Sequence, residues 1–497
     1  MQAREYQIKA VSDLRSEISK GNRRPLLVMP TGSGKTIVAS LIIRSAVEKG
    51  KKALFLAPRR ELIHQTSDKL KAIGVHHGIM MAGELLAFDH PVQVASVPTI
   101  YKRCFKDGEP VQARTGGKYR LPPADLIIVD EAHANFSNMA QLILAQYPKA
   151  VVIGMTATPA RSDGRGLGEI YDEIVHGPSV GQLTEKGFLV PARYFTGSKA
   201  DLSKVKMLAG DYNKKQLGEA VNKPKLVGDV VSNWARICPE RTTVVFAVNR
   251  GHAGALDAEF RARGFESDYL DGETDYAERS AKLRKLETGE TRVLCTVDVL
   301  SYGWDCPPVS CGIIARPTKS IARYLQMAGR LMRPWERKEE FFLIDHGTCV
   351  DDFGPVDEER EWQLEGKALV EEFRTRRAKD ELEKKQITCA SCDFVFPAAK
   401  RCPSCGMSNE YVYRKAIESL PAELQEVLIE KKSQKQLRAE QHKYYCELLW
   451  IRINRGYKPG WAAHKYRARY GKWPRFHENN TPIQPSFETV NRIRKRK

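Results

Sequence analysis

Short apolar runs recur along the first 350 residues, and their spacing constrains the fold more than any other feature. Leu26–Met29, Ala53–Ala57, Val92–Ser96, Leu126–Val129 and Val151–Gly154 form one set; Val244–Val248, Val293–Thr296, Gly312–Ala315 and Phe341–Ile344 form a second. Runs of four or five apolar residues bounded by turn signals suit strands buried on both faces, as at the centre of a parallel sheet. Helical patterns separate them, and that alternation predicts two consecutive doubly wound α/β domains. The first is expected over 1–185 and the second over 186–352, with the mixed stretch from Leu183 to Gln216 reading as a linker with added elements.

The texture changes after Asp352. Residues 353–386 are charge-rich, with Trp362, Leu364, Leu369, Val370 and Phe373 at helical spacing, which predicts a helical connector. Residues 387–410 are a short cysteine-bearing module, and 411–497 begin as helix and become basic and aromatic. Cys389-x₂-Cys392 and Cys402-x₂-Cys405 supply two thiolate pairs, the ligand set of a closed tetrahedral Zn²⁺ site. A redox pair needs only one such motif in a thioredoxin-like setting. The other seven cysteines follow no ligand pattern and are expected to be buried or inert.

Of the net charge of +19, residues 411–497 carry +12, from 20 Lys/Arg against 8 Glu. A basic end of this kind favours a polyanion through counterion release, although a merely solubilising tail fits charge alone equally well. From Trp450 to Trp473 aromatics interleave with bases, a combination suited to stacking on nucleic-acid bases. Trp461, Tyr466 and Tyr470 also have helical spacing, so a small folded core is an open alternative. No apolar stretch reaches the roughly 18 residues of a membrane helix. The start, Met-Gln-Ala-Arg-Glu-Tyr-Gln, lacks the apolar segment of a signal peptide, so a soluble cytoplasmic protein is expected.

The chemistry is concentrated in two segments. Leu26–Met29 leads through Pro30-Thr31-Gly32-Ser33-Gly34 into a helix beginning Lys35-Thr36. Gly32 and Gly34 permit a tight turn whose N–H groups, with the helix N-terminus, cradle phosphate. Lys35 adds a point charge and Thr36 a hydroxyl for Mg²⁺. The loop is abbreviated, because Met29 stands where a first glycine is usual. Leu126–Val129 then ends in Asp130-Glu131-Ala132-His133, placing acids at the carboxyl end of a buried strand. Asp130 is assigned to the metal and Glu131 to polarising the attacking water. A helix cap is the plain alternative for an Asp-Glu pair.

Taken with their neighbours these segments resemble the DEAD/DEAH-box helicases of superfamily 2 across residues 1–350. Arg4-Glu5-Tyr6-Gln7 is similar to the adenine-recognition motif, Pro30–Thr36 to motif I, and Ala57–Leu62 to motif Ia. Asp130–His133 gives DEAH literally, and Thr156-Ala157-Thr158 resembles motif III. Val244–Asn249 resembles motif IV and Thr296–Asp305 motif V, while Gln326–Arg333 fits QxxGRxxR, motif VI.

The resemblance implies two tandem RecA-like domains that split ATP between them. Arg4, Gln7, Thr31, Gly32, Ser33, Gly34, Lys35, Thr36, Asp130, Gly303 and Asp305 are then expected to bind nucleotide and Mg²⁺. Lys35, Asp130, Glu131, His133, Gln326, Arg330 and Arg333 are expected to carry catalysis. Gln326, Arg330 and Arg333 fall at i, i+4 and i+7 of a predicted helix over 320–331, with the arginines as fingers for transition-state charge. Arg59, Arg60, Ser96, Thr99 and Thr296 match positions that contact the sugar-phosphate backbone.

The layout beyond residue 350 is similar to bacterial RadD/YejH-like repair helicases and their phage relatives. It implies DNA, single-stranded or branched, and a repair or recombination setting. A duplex translocase without unwinding, an ATP-gated binding switch and an RNA helicase are the alternative readings.

Overall fold

The computed structural model describes residues 3–84, 89–106, 108–110, 121–134, 138–161, 166–196, 200–208, 210–298, 306–360, 362–364, 386–388, 395–397, 425–426, 434–470, 473–474, 480–486 and 489. The chain divides into two compact units, Met1–Val427 and Leu428–Lys497.

The first unit holds two seven-stranded sheets. In chain order the first comprises β1 (Pro25–Val28), β2 (Ala53–Ala57), β3 (Gly78–Met80) and β4 (Val92–Ser96). A short hairpin follows, β5 (Phe105–Lys106) with β6 (Glu109–Pro110), and then β7 (Leu126–Asp130), β8 (Val151–Thr156) and β9 (Glu173–His176). The spatial order is β3-β4-β2-β7-β8-β1-β9, with every pairing in the sheet parallel. All residues of β2, β4 and β7 are buried, which is why each reads as a mainly apolar run, with Gln93 inside β4 and Asp130 at the end of β7.

The second sheet begins with β10 (Ala192–Thr196), inside the stretch that the sequence presents as a linker. After the hairpin β11 (Met207–Leu208) and β12 (Asp211–Tyr212) come β13 (Thr243–Phe246), β14 (Ser267–Leu270), β15 (Val293–Thr296), β16 (Cys311–Ile314) and β17 (Phe341–Asp345). A further hairpin pairs β18 (Gln386–Thr388) with β19 (Val395–Pro397), and β20 (Gln425–Glu426) closes the sheet edge. The order is β14-β15-β13-β16-β17-β10-β20, parallel except for β20 on β10.

Side-chain caps fix the helices between strands. Asn249 Oδ1 accepts from His252 N–H to start helix Arg250–Ala262, and Asp275 Oδ1 accepts from Ala277 and Glu278 to start Tyr276–Thr288. One core gathers Leu26, Leu54, Ile127, Val152 and Leu167, the other Trp234, Val245, Phe260, Cys295 and Ile313.

The described part of the connector is not a surface helix. Trp362 and Leu364 pack on the first core, and Leu364 C=O accepts from Gly168 N–H at 3.0 Å. The seven scattered cysteines are all buried and unpaired by disulfide. Among the described residues no helix is long and apolar enough to cross a membrane.

The second unit pairs helices Gln434–Asn454 and Trp461–Tyr470 around Tyr444, Leu448, Ala462 and Tyr466. Tyr466 is 1% exposed and so forms core, whereas Trp473 is 43% exposed with the Arg467 guanidinium 4.8 Å from its ring centre.

Candidate active site

β1 delivers Met29 and Pro30 to a loop in which Gly32 and Gly34 take φ of +84° and +81°. Gly34 is required twice over: the left-handed backbone disfavours a side chain, and a Cβ there would meet Gln7 Nε2 at 2.5 Å. Helix Lys35–Glu48 starts at once, so its unpaired N–H groups face the loop's concavity. Lys35 Nζ donates to the Met29 and Pro30 carbonyls at 3.2 and 3.3 Å, folded back along the loop. Burial lowers its pKa, opposed by the carboxylates of Glu131 and Asp130.

β7, two strands away, ends in Asp130. Glu131 follows with φ of +47°, a left-handed backbone conformation that few residues other than glycine adopt. Glu131 Oε2 is buried without a hydrogen bond and lies 3.5 Å from His133 Nδ1. Burial and the adjacent Glu131 charge hold the Asp130 carboxyl above the usual carboxylate range, with Lys35 acting against them. Two buried acids beside a phosphate cradle and the Thr36 hydroxyl are the oxygen donors a hard divalent cation takes, usually sharing it with phosphate and water. The donor set fits Mg²⁺.

A chain of hydrogen bonds joins the two sheets. Gln326 Nε2 donates to His133 Nε2 at 2.8 Å, and His133 Nδ1 contacts Thr156 Oγ1 at 2.8 Å. Thr156 Oγ1 also accepts from Thr158 N–H and donates to Thr158 C=O, both at 3.0 Å. A neutral His133 protonated on Nδ1 satisfies every group, and burial favours that form by lowering the pKa.

The helix bearing Gln326 ends earlier than its sequence suggests. It spans Ile321–Gly329, with Arg330 as its cap and Arg333 beyond it, so the three residues do not share a helical face. Gly329 falls at the end, and Pro334 disfavours helical backbone at Arg333. Arg333 still reaches the loop: its Cγ and Nε lie 3.6 and 3.9 Å from where a Gly32 Cβ would stand, and Gly329 packs on Thr31. Arg330 is 7% exposed.

At the opposite end of the loop, Gln7 is expected at a base edge. Its Nε2 donates to Ser33 C=O at 3.1 Å and its Oε1 accepts from Arg4 N–H at 3.0 Å. Tyr6 OH reinforces the same carbonyl at 2.9 Å. The Arg4 guanidinium lies 4.2 Å from the ring centre of Phe188. Tyr6 lies within the Arg4–Gln7 motif, which assigns it no role, and Phe188 sits in a stretch without periodicity.

Of the positions expected at nucleic acid, those of the first sheet lie at or just beyond the ends of the neighbouring strands β2 and β4, which pair Ala57 with Ser96. Arg59 and Arg60 are exposed at the start of helix Arg60–Ala72, Ser96 precedes Val97–Cys104, and Thr99 is half-buried on it. Thr296 ends β15, buried, with a hydroxyl that lacks a hydrogen bond. Gly303 and Asp305, and all four motif cysteines, Cys389, Cys392, Cys402 and Cys405, lie outside the described residues.

Comparison with known proteins follows the same division. Residues 1–161 match the family described as type III restriction enzyme, res subunit, and residues 222–334 match the helicase conserved C-terminal domain. A 51.5 kDa protein of a Lactococcus phage is 28% identical over 453 residues, covering 90% of this chain and 89% of that protein. The protein of Saccharomyces cerevisiae designated ATP-dependent helicase IRC3 is 31% identical over 363 residues, 69% of this chain. The chain spans about half of that relative, 51% of its length. Among solved structures, the ATP-dependent type ISP restriction-modification enzyme LlaBIII bound to DNA shares the fold. Its TM-score is 0.53 at 15% identity, covering 91% of this chain and 35% of that one.

Proposed function

The chain belongs to the superfamily 2 helicases, a family of nucleic-acid-dependent ATPases, and from that membership we propose that it is an ATP-driven DNA helicase or translocase. The observation that carries the mechanism is the bond between Gln326 and His133, which ties the acid-bearing segment of the first sheet to the arginine-bearing segment of the second. Lys35 and the loop N–H groups hold the β- and γ-phosphates. Asp130 and Thr36 would hold Mg²⁺, which would neutralise phosphate charge. Glu131 orients and deprotonates the attacking water, and Arg330 and Arg333 meet the charge that develops on the transferred phosphoryl group.

Because the site draws on both sheets, nucleotide turnover changes their mutual position, and a strand gripped by both is moved. DNA is favoured over RNA by the match to a restriction-enzyme family, while the basic second unit suits either polyanion. A repair or recombination role, with single-stranded or branched DNA as substrate, is the biological setting proposed. A Zn²⁺ ion held by Cys389, Cys392, Cys402 and Cys405 would brace the cysteine module, whose first pair falls in the connection between β18 and β19.

The test is an ATPase assay across single-stranded DNA, duplex, forked DNA and RNA. Strong stimulation by DNA with strand displacement supports the reading. Full stimulation by closed duplex without displacement makes the protein a duplex translocase, and preference for RNA overturns the DNA assignment.

A further inference from the structure

The second unit builds its core from helices Gln434–Asn454 and Trp461–Tyr470, yet two large aromatic rings stay outside it. Tyr444, Leu448, Ala462 and Tyr466 are buried between the helices, with Trp461 half-buried against them. Tyr457 is 37% exposed and Trp473 is 43% exposed, so neither ring is core.

Both exposed rings are nonetheless held in place. The first helix closes with Gly456 at φ of +64° and Tyr457 N–H donating to Arg452 C=O at 3.0 Å, which fixes the backbone that carries Tyr457. The Tyr457 ring stacks on Trp461 with centres 4.5 Å apart and planes at 26°, so Trp461 joins it to the core. Trp473 is braced by the second helix. The Arg467 guanidinium lies 4.8 Å from its ring centre, and the His464 ring meets it at 5.0 Å and 73°. Trp461, His464 and Arg467 fall at i, i+3 and i+6, one row along the helix, and His464 and Arg467 are exposed. The row spans roughly 9 Å, the length of about two to three stacked nucleotides of one strand.

Charge decides what such a row takes. From Trp450 to Trp473 the sequence has seven Lys/Arg and no Asp or Glu, which favours a polyanion. Arg455 and Lys458 flank Tyr457 in the sequence and are exposed, as is Arg467. A nucleic-acid base offers its flat face to an aromatic ring while its phosphate meets a cation, and this surface displays both partners. Bases in a duplex hide those faces inside the stack, so the ligand is single-stranded. Rings braced before binding also lose little freedom when a base arrives.

We propose that Tyr457 and Trp473 form a two-ring stacking platform for single-stranded DNA on the second unit, with Arg455, Lys458 and Arg467 meeting the phosphates. The choice of DNA as the polyanion rests on the helicase or translocase reading. None of the platform's residues belongs to the nucleotide site, so it holds a strand without ATP.

The test measures binding of a labelled oligothymidylate and of an abasic oligomer of the same length to the full chain by fluorescence anisotropy, without nucleotide. Contacts to the sugar-phosphate backbone act equally on both ligands, so the difference between them reads stacking. The unaltered chain should bind oligothymidylate more tightly. Trp473→Ala and Tyr457→Ala should each cut that preference on the order of tenfold, while Trp473→Phe and Tyr457→Phe keep it. Abasic affinity should stay the same in all four, which also certifies a folded unit. No preference in the unaltered chain, an undiminished preference in either Ala variant, loss of preference in the Phe variants, or equal weakening of both ligands overturns the platform. Tighter binding of oligouridylate than of oligothymidylate overturns DNA as its ligand. Absence of DNA-stimulated hydrolysis in the unaltered chain is a separate result: it would sink the motor reading and leave the stacking measurement standing.

Discussion

Gln326 Nε2 and His133 Nε2 stand 2.8 Å apart, and because an amide N–H can only donate, that distance fixes the tautomer of the histidine. Its remaining proton sits on Nδ1 and points at Thr156 Oγ1, 2.8 Å away. The three side chains act as one connection between the sheets. Removing either end leaves a buried donor or acceptor unmet, at about 1–3 kcal/mol. We predict that Gln326→Ala and His133→Ala each lower kcat on the order of tenfold to a hundredfold with little change in the KM for ATP. The double variant should be no worse than the poorer single one. Fully additive losses in steady-state ATPase assays would show that the two residues work independently.

Lys35 and Glu131 separate binding from chemistry. Lys35→Ala removes the charge from the phosphate cradle and is expected to abolish both nucleotide binding and turnover. Glu131→Gln keeps the shape of a side chain whose Oε2 is buried without a hydrogen bond, but it cannot take a proton. It should bind ATP and hydrolyse it at least about a hundredfold more slowly. Equilibrium binding and single-turnover measurements decide the matter. Normal turnover in either variant would remove these residues from the mechanism.

The central strands were legible in the sequence because β2, β4 and β7 are buried on both faces, so that apolar residues dominate them and the one acid, Asp130, stands at the carboxyl end of β7. The strands β9 and β14 at the sheet edges were not, because their half-exposed faces break the apolar run: Glu173 and His176 on one, Asp268 on the other. The phosphate loop, the acidic strand end and Gln326 were legible as motifs in order. What a motif does not contain is the close of the helix at Gly329, which follows from Pro334 downstream, nor the contact of Phe188 with Arg4, which pairs residues 184 positions apart in a stretch without periodicity. In the second unit, composition alone left base stacking and core packing equally open, and the burial of Tyr466 settles its own case by geometry.

Asp298 anchors the second sheet electrostatically. Burial alone would raise its pKa, yet Arg316, Lys214 and Arg323 outweigh that and hold it at about 2. Its carboxylate meets Arg316 at 2.6 Å, Lys214 at 2.7 Å and Arg323 at 3.0 Å. The Arg316 side chain is only 4% exposed. Asp298→Asn leaves that guanidinium buried with a weakened counter-charge, and we predict a loss of about 3 kcal/mol in unfolding free energy. Combining it with Arg316→Met should recover most of the loss, because both charges then leave together. Denaturant unfolding of the single and double variants provides the measurement, and a single variant as stable as the parent would contradict the assignment.

The cysteine module is expected to hold about one zinc per chain, as a closed four-thiolate site does. β18 and β19 pair in register, Thr388 with Val395, and Cys389 and Cys392 fall in the sequence between them. Elemental analysis of the purified protein should find the metal, and Cys402→Ser with Cys405→Ser should lose it. Metal-free protein that is folded and active would rule the site out.

Acid stability tests burial in the second core. His252 is 2% exposed, and burial pushes its pKa down to about 4, against roughly 6.5 in an unfolded chain. Between those values the unfolded chain binds a proton that the folded chain refuses, so this residue makes the fold less stable as pH falls from about 6.5 to 4. The full effect is on the order of 3 kcal/mol. His346, on the same small cavity with Val230 and Ala315, is also pushed down to about 4 and adds in the same sense. Asp345 acts oppositely: burial raises it to about 7, so the folded chain holds its proton over the range in which the unfolded chain has released it. The pH dependence of the whole protein is therefore a partial cancellation, and the difference between variant and parent isolates the histidine. Relative to the parent, His252→Gln should gain stability steadily as pH drops from about 6.5 to 4 and show a constant offset above that range. Parallel melting curves across the whole range would mean that His252 is not held neutral by the fold.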